Sequence, residues 1–155
     1  MDPAAIEVRA ELVSGLPVVN AVLERLGLDQ LVASCLPEPD PRCGVEPAKV
    51  IGVLVRNLAL GREPLYGLSA WAAGYDPALL GLLPGQAALL NDDRAGRALD
   101  ELYLADRASM TTTLTLAAVS CYRITTEELH NDSTSICLYG AYRDACSGRI
   151  LGRRA

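Results

Sequence analysis

The sequence predicts a mainly α protein, a multi-helix domain over residues 12–123 followed by a short β-strand or hairpin within residues 127–155. Three observations predict it. Half of the 155 residues are hydrophobic, yet there is no Phe and a single Trp, so the core must be built from Leu, Val and Ala, a composition that favours helices. Apolar residues from Leu16 to Val119 recur at helical spacing and are punctuated by Gly, Pro, Asn and Asp where helices start and stop. Beyond Arg123 the pattern changes to a polar link, a block of small hydroxyl residues and a short apolar exit.

Taken in order, Pro17 suits a first helical turn and Gly27 a stop, so Pro17 to Leu26 reads as a short amphipathic helix with Val18, Val19, Val22, Leu23 and Leu26 inward. A helix of one or two turns follows from Leu28, with Leu31 and Val32 inward. Pro37-Glu38-Pro39-Asp40-Pro41 cannot be helical and reads as an extended surface spacer. Glu46-Pro47 opens the most apolar helix, through Val50, Ile51, Val53, Leu54, Leu58 and Leu60 to Gly61; apolar residues on most of its circumference mark a central, buried element. Its Arg56 is expected to pair with a carboxylate at the core edge, Glu63 or Asp92, rather than with phosphate.

Glu63-Pro64-Leu65-Tyr66 starts a helical turn through Trp71 and Ala73, with Tyr66 and Trp71 as core anchors. Asp76-Pro77 is an N-cap followed by proline, giving a short helix to Gly81, and Pro84-Gly85 turns into another through Leu89 and Leu90. Asn91-Asp92-Asp93-Arg94 caps a helix with Ala95, Ala98, Leu99, Leu102 and Tyr103 on one side and an Asp93–Arg97 pair on its surface. The adjacent carboxylates of Asp92 and Asp93 are accounted for by the helix dipole. Asp106 caps the last long helix, through Met110, Leu114, Leu116, Ala117 and Val119 to about Arg123.

The block Leu129-His130-Asn131-Asp132-Ser133-Thr134-Ser135-Ile136 has two readings. Asn, Asp and Ser bond their own backbone and make turns; entered through Leu129 and left through Ile136, Cys137 and Leu138, the same block fits a polar residue held on a short strand. Tyr139-Gly140-Ala141-Tyr142 resembles a strand end and turn, and Gly148-Arg149-Ile150-Leu151 a returning strand. Two strands do not make a stable sheet by themselves.

Five cysteines, an odd number with no C-x-x-C pair, and a single histidine, His130, indicate neither a disulfide framework nor a zinc knuckle, so reduced thiols are expected. The formal net charge of -5 argues against whole-surface attraction to nucleic acid and leaves room only for a local basic patch. No apolar run approaches the ~20 residues of a membrane span, and Asp2, Glu7 and Glu11 lack the pattern of a secretory signal. A cytoplasmic protein with no membrane partner is expected.

Several blocks together resemble bacterial insertion-sequence transposases of the DDE class, the group in which a helical domain of uncharacterised function precedes an RNase H-like catalytic core. They are Leu16-Pro17-Val18-Val19-Asn20 with Leu26-Gly27-Leu28-Asp29; Val53-Leu54-Val55-Arg56-Asn57-Leu58 with Arg62-Glu63-Pro64-Leu65-Tyr66; Leu90-Asn91-Asp92-Asp93-Arg94 with Gly96-Arg97-Ala98-Leu99-Asp100; and Leu129-His130-Asn131-Asp132-Ser133-Thr134-Ser135. The resemblance spans residues 12 to 143. It implies that residues up to Arg123 are the helical leader, that Leu129 to Leu138 is the first strand of the core, and that Asp132 is the first acid of the triad, a catalytic and metal-ligating residue. Carboxylates from separate elements in that chemistry hold two Mg2+ ions ~4 Å apart at the scissile phosphate. Here the only acid after Asp132 is Asp144, too near along the chain to be the second member. The expectation is a truncated or frameshifted transposase that does not hold Mg2+ stably and is inactive alone. Its partners would be transposon-end DNA, a second copy of itself or full-length transposase. The alternative is a standalone DNA-binding or transposase-interacting regulatory module, and more remotely an unrelated helical enzyme using Asp92, Asp93 and His130.

Overall fold

The structure, a computed structural model, describes residues 11–126. Six α-helices occupy these residues: α1 (Leu16–Leu26), α2 (Leu28–Cys35), α3 (Pro47–Leu60), α4 (Leu68–Ala72), α5 (Asp92–Leu104) and α6 (Arg107–Tyr122). Short 3-10 turns at Leu65–Gly67, Pro77–Leu80 and Gln86–Leu89 carry the chain between them. No β-strand forms among the described residues; the one extended pairing is an isolated bridge between Leu12 and Tyr75, closed by the Leu12 N–H donating to the Gly74 carbonyl at 2.8 Å. The expected strand at Leu129–Leu138 and its return at Gly148–Leu151 lie outside the described residues.

The punctuation of the sequence is what places the helices. Gly27 takes a left-handed conformation (φ 63°) that only glycine adopts without cost, and in it ends α1 and begins α2 with no linker. Asn91 accepts from the Arg94 N–H at 2.8 Å to cap α5, and Asp106 accepts from the Ser109 N–H at 3.0 Å to cap α6. Asp76 does the same for the Pro77–Leu80 turn through the Ala78 N–H at 2.9 Å. The acidic first turn of α5, Asp92 and Asp93, adds favourable charge to the positive end of that helix.

Helix α3 is central: Val50, Ile51, Gly52, Val53, Leu54, Arg56 and Asn57 are all buried. It packs against α1, α2 and α5, and the core closes over it with Leu16, Leu23, Leu28, Val32, Leu68, Leu80, Leu90, Ala95 and Ala98. Small residues bring the partners close. A Cβ at Gly61 would fall 2.5 Å from Trp71 Nε1, and one at Gly44 would fall 2.8 Å from Leu89 Cδ1.

Several inward assignments are corrected. On α1 the buried stripe is Leu16 and Leu23 with Val19 against the core, while Val18 and Val22 face out. Valines on two neighbouring stripes satisfy helical spacing equally, and the docking of α1 on its neighbours decides which one is buried. Leu58 on α3 is exposed, and Tyr66 is 83% exposed rather than a core anchor. Trp71 does pack against the core, with its ring centroid 5.0 Å from that of Tyr75. On α5, Leu99 and Tyr103 are exposed, and the Asp93–Arg97 pair does not form.

Truncating a side chain at the centre of this core leaves a cavity that helices on three sides do not readily fill. Leu68→Ala, at a fully buried position, is expected to cost about 2–5 kcal/mol, read as a lowered urea midpoint by circular dichroism. Leu58→Ala, at an exposed position on α3, is expected to stay within about 0.5 kcal/mol of the parent.

Candidate functional site

Asp132, the acid expected to bind metal and act in catalysis, lies outside the described residues, as does His130. Asp92 and Asp93 are exposed at the start of α5, where Asp92 Oδ1 accepts the Asp93 N–H at 3.1 Å in a local helix-start bond. Among the described residues no group of three or more His, Cys, Asp or Glu side chains could hold a metal ion. The described residues therefore do not fit a two-Mg2+ centre. Cys35, Cys43 and Cys121 are free thiols.

The most constructed polar site is instead a node around Arg56, where α1, α2 and α3 meet. Arg56 is 4% exposed, and its guanidinium is met on three sides. Nε donates to Asn20 Oδ1 at 2.8 Å; Nη1 donates to the Gly52 carbonyl at 3.0 Å and to Asp29 Oδ1 at 3.3 Å; Nη2 donates to Asp29 Oδ2 at 3.0 Å. Asn20 in turn donates to the Leu79 carbonyl at 2.8 Å, tying in the Pro77–Leu80 turn. The forked contact with Asp29 uses the planar geometry that distinguishes Arg from Lys.

Gly52 makes room for this pair. A Cβ there would sit 3.0 Å from both Arg56 Nη1 and Asp29 Oδ1. Asp29 stands in the first turn of α2, where the helix dipole favours its charge, and its side chain is half-exposed, so solvent supports the carboxylate while the guanidinium is enclosed. The expected partners Glu63 and Asp92 are thus replaced by Asp29. The signal was present in the sequence: Gly52 one turn before Arg56 on the same helical face, and an acid just after the Gly27 break. Nothing local specified that α2 would fold across that face.

Asn57, the other buried polar side chain among the described residues, works locally. Its Nδ2 donates to the Glu63 carbonyl at 2.8 Å and its Oδ1 accepts the Glu63 N–H at 3.0 Å, holding the turn in which Arg62 takes φ 54°. Every buried side-chain nitrogen and oxygen in the described body has a partner.

Two clefts flank these elements. One, about 290 Å³, lies beside the node and is lined by Asp29, Glu46, Lys49, Gly52 and Arg56, with Lys49 and Glu46 paired at 3.5 Å. The other, about 260 Å³, lies between the Pro37–Asp40 segment and α5. Its Arg94 is committed to scaffolding: Nε donates to the Leu89 carbonyl at 2.9 Å and Nη1 to the Val45 carbonyl and Cys43 Sγ, each at 3.4 Å. At its rim the Arg42 guanidinium, and secondarily the Arg42 backbone N–H, hold the Asp40 carboxyl below its ordinary range, while Asp40 raises the guanidinium. Each cleft mixes both signs of charge; Arg56 and Lys49 at the first and Arg94 at the second are engaged by protein groups.

Because Arg56 is enclosed and Asp29 is half-exposed, removing the carboxylate's charge leaves a cation without full compensation. Asp29→Asn is expected to cost about 1–3 kcal/mol. Arg56→Met in the same chain should recover part of that loss, giving a coupling above about 0.5 kcal/mol in a urea double-mutant cycle. Strict additivity would show that the pair does not organise the junction.

No helix among the described residues is long and apolar enough to cross a membrane. No curated protein and no solved structure matches the chain. Residues 8–116 match the family described as Domain of unknown function (DUF4277), a span that begins before α1 and takes in α1 through α5 and most of α6. With most of its length inside that match, the chain belongs to the DUF4277 family.

Proposed function

We propose that this chain carries the helical leader domain of an insertion-sequence DDE transposase, and that Asp132, on the first strand of an RNase H-like core at Leu129–Leu138, is the first acid of the catalytic triad. The observation that carries the reading is the order of parts: a self-contained helical body ending at Tyr122, followed closely by Leu129-His130-Asn131-Asp132-Ser133-Thr134-Ser135. The fully partnered polar interior supports it, since such a body has the chemistry of a spacer and organiser and leaves the cutting of DNA to carboxylates elsewhere. A strand is rigid enough to hold one of those carboxylates in place.

Within residues 133–155 the one acid is Asp144, too near Asp132 along the chain to be the second member, so residues 1–155 by themselves do not supply the later carboxylates of the triad. Purified and given Mg2+ and DNA bearing insertion-sequence ends, the chain should make no cuts. Joined after Arg143 to the remaining core of a DUF4277-bearing transposase, it should support excision, and Asp132→Asn should lower excision by at least about a hundredfold. Excision untouched by that substitution would remove Asp132 from the triad and with it the reading.

DNA contact is disfavoured by the net charge of -5 of the whole chain and by the engagement of Arg56 and Arg94 in protein contacts. A mobility-shift assay at low salt, where phosphate contacts are strongest, should show no retention of transposon ends by the chain. A clear shift would favour the DNA-binding regulatory alternative.

A further inference from the structure

We propose that two copies of this chain pair through α6, helix against helix in antiparallel orientation. The proposal stands on the described surface and does not depend on the transposase reading. From Ala108 to Tyr122 there is no charged side chain, an unusual run for a surface helix, and yet α6 has no buried residue. Met110 and Leu114 lean on the core, which leaves Thr112, Leu116 and Ser120 along the opposite face, with Leu116 64% exposed. Tyr103 and Leu104 at the end of α5, both exposed, add apolar area beside the start of α6.

The helix is also poorly supported as it stands. Threonines at 111, 112, 113 and 115 lower its intrinsic propensity, and isolated helices of this length are marginal in water. Its attachments leave no residue enclosed: Met110, Leu114, Ala117, Ala118 and Val119 are half-buried, the Arg25 guanidinium lies 5.2 Å from the Tyr122 ring, and Cys121 Sγ donates to the Arg25 carbonyl at 3.2 Å.

Charge selects the occupant. Asp106 and Arg123 bracket the uncharged stretch at its two ends, both exposed. An antiparallel two-fold pairing sets Asp106 of one copy beside Arg123 of the other, twice, and opposes the two helix dipoles. Arg107, the cation next to Asp106 at the first end, is turned away onto Tyr103, with its guanidinium 4.4 Å from the ring centroid. For a protein of net charge -5, a neutral face with self-complementary ends is where a second copy meets least repulsion. A helix of this length is about 24 Å long, and one helix pair with its α5 flanks falls near the ~1,000 Å² lower bound of specific interfaces. The dimer is therefore expected to be of micromolar rather than nanomolar strength.

Sedimentation of the full chain from about 5 to about 300 μM should show a monomer–dimer equilibrium. Leu116→Glu and Thr112→Glu each enter the interface twice, and each should raise the dissociation constant at least about tenfold while the helical circular dichroism of these exposed-site variants is unchanged. Arg123→Glu should weaken the dimer and diminish its salt dependence. A parent chain that stays monomeric through that range overturns the proposal. So does a dimer that both glutamate variants leave intact.

Discussion

The constraint on which the rest of the fold depends is the enclosure of one guanidinium. Arg56 lies deep in α3, the most enclosed helix among the described residues, and a buried cation is tolerable only where its donors find acceptors. The acceptors come from α1 through Asn20, from α2 through Asp29 and from α3 itself through the Gly52 carbonyl, while Asn20 reaches onward to Leu79. Apolar packing alone would let α1 and α2 slide along α3 at little cost. The forked Arg56–Asp29 contact, with no room for a Cβ at Gly52, defines a single register.

That register has consequences further along the chain. With α2 fixed against α3, the proline-rich segment from Pro37 leads back to Glu46 and is received by Gln86 and Arg94. Gln86 Nε2 donates to the Gly44 carbonyl at 2.8 Å, and Arg94 reaches the Val45 carbonyl and Cys43. A second arginine thus repeats for the loop what Arg56 does for the helices.

How far this was legible in the sequence depended on whether the information is local. Helix ends are written in single residues with local mechanisms: Gly27 for the left-handed break, Asn91 and Asp106 for side-chain caps, Pro17 and Pro47 for first turns. Those were read correctly. Facing is not local. Val18, Val22, Leu58 and Tyr66 sit at apolar positions that helical spacing allows on either side of a stripe boundary, and only the docking of neighbouring helices decides that they look outward. The Arg56 partner failed for the same reason, since Asp29, Glu63 and Asp92 are equally acidic and the choice among them is made by where α2 lies. The expectation for Asp132 rested on resemblance alone, because an Asp among Asn, Ser and Thr has the same composition in a turn as on a strand.

The uneven distribution of packing along the chain bears on what such a domain does. Each of α1 to α5 contributes buried residues to one core, and the buried polar side chains there are matched. In α6 the logic changes: threonine and alanine replace leucine, charges disappear, and the helix rests on the core through a narrow contact. A chain selected only to stabilise itself would place charged, strongly helix-forming residues on that outer face, where they favour both solubility and helicity. Their absence over fifteen consecutive residues, 108 to 122, is a departure from local consistency of the kind that marks surfaces with a role in association. The rigid part of the body holds α6 in position, and α6 carries the face whose composition answers to something other than solvent.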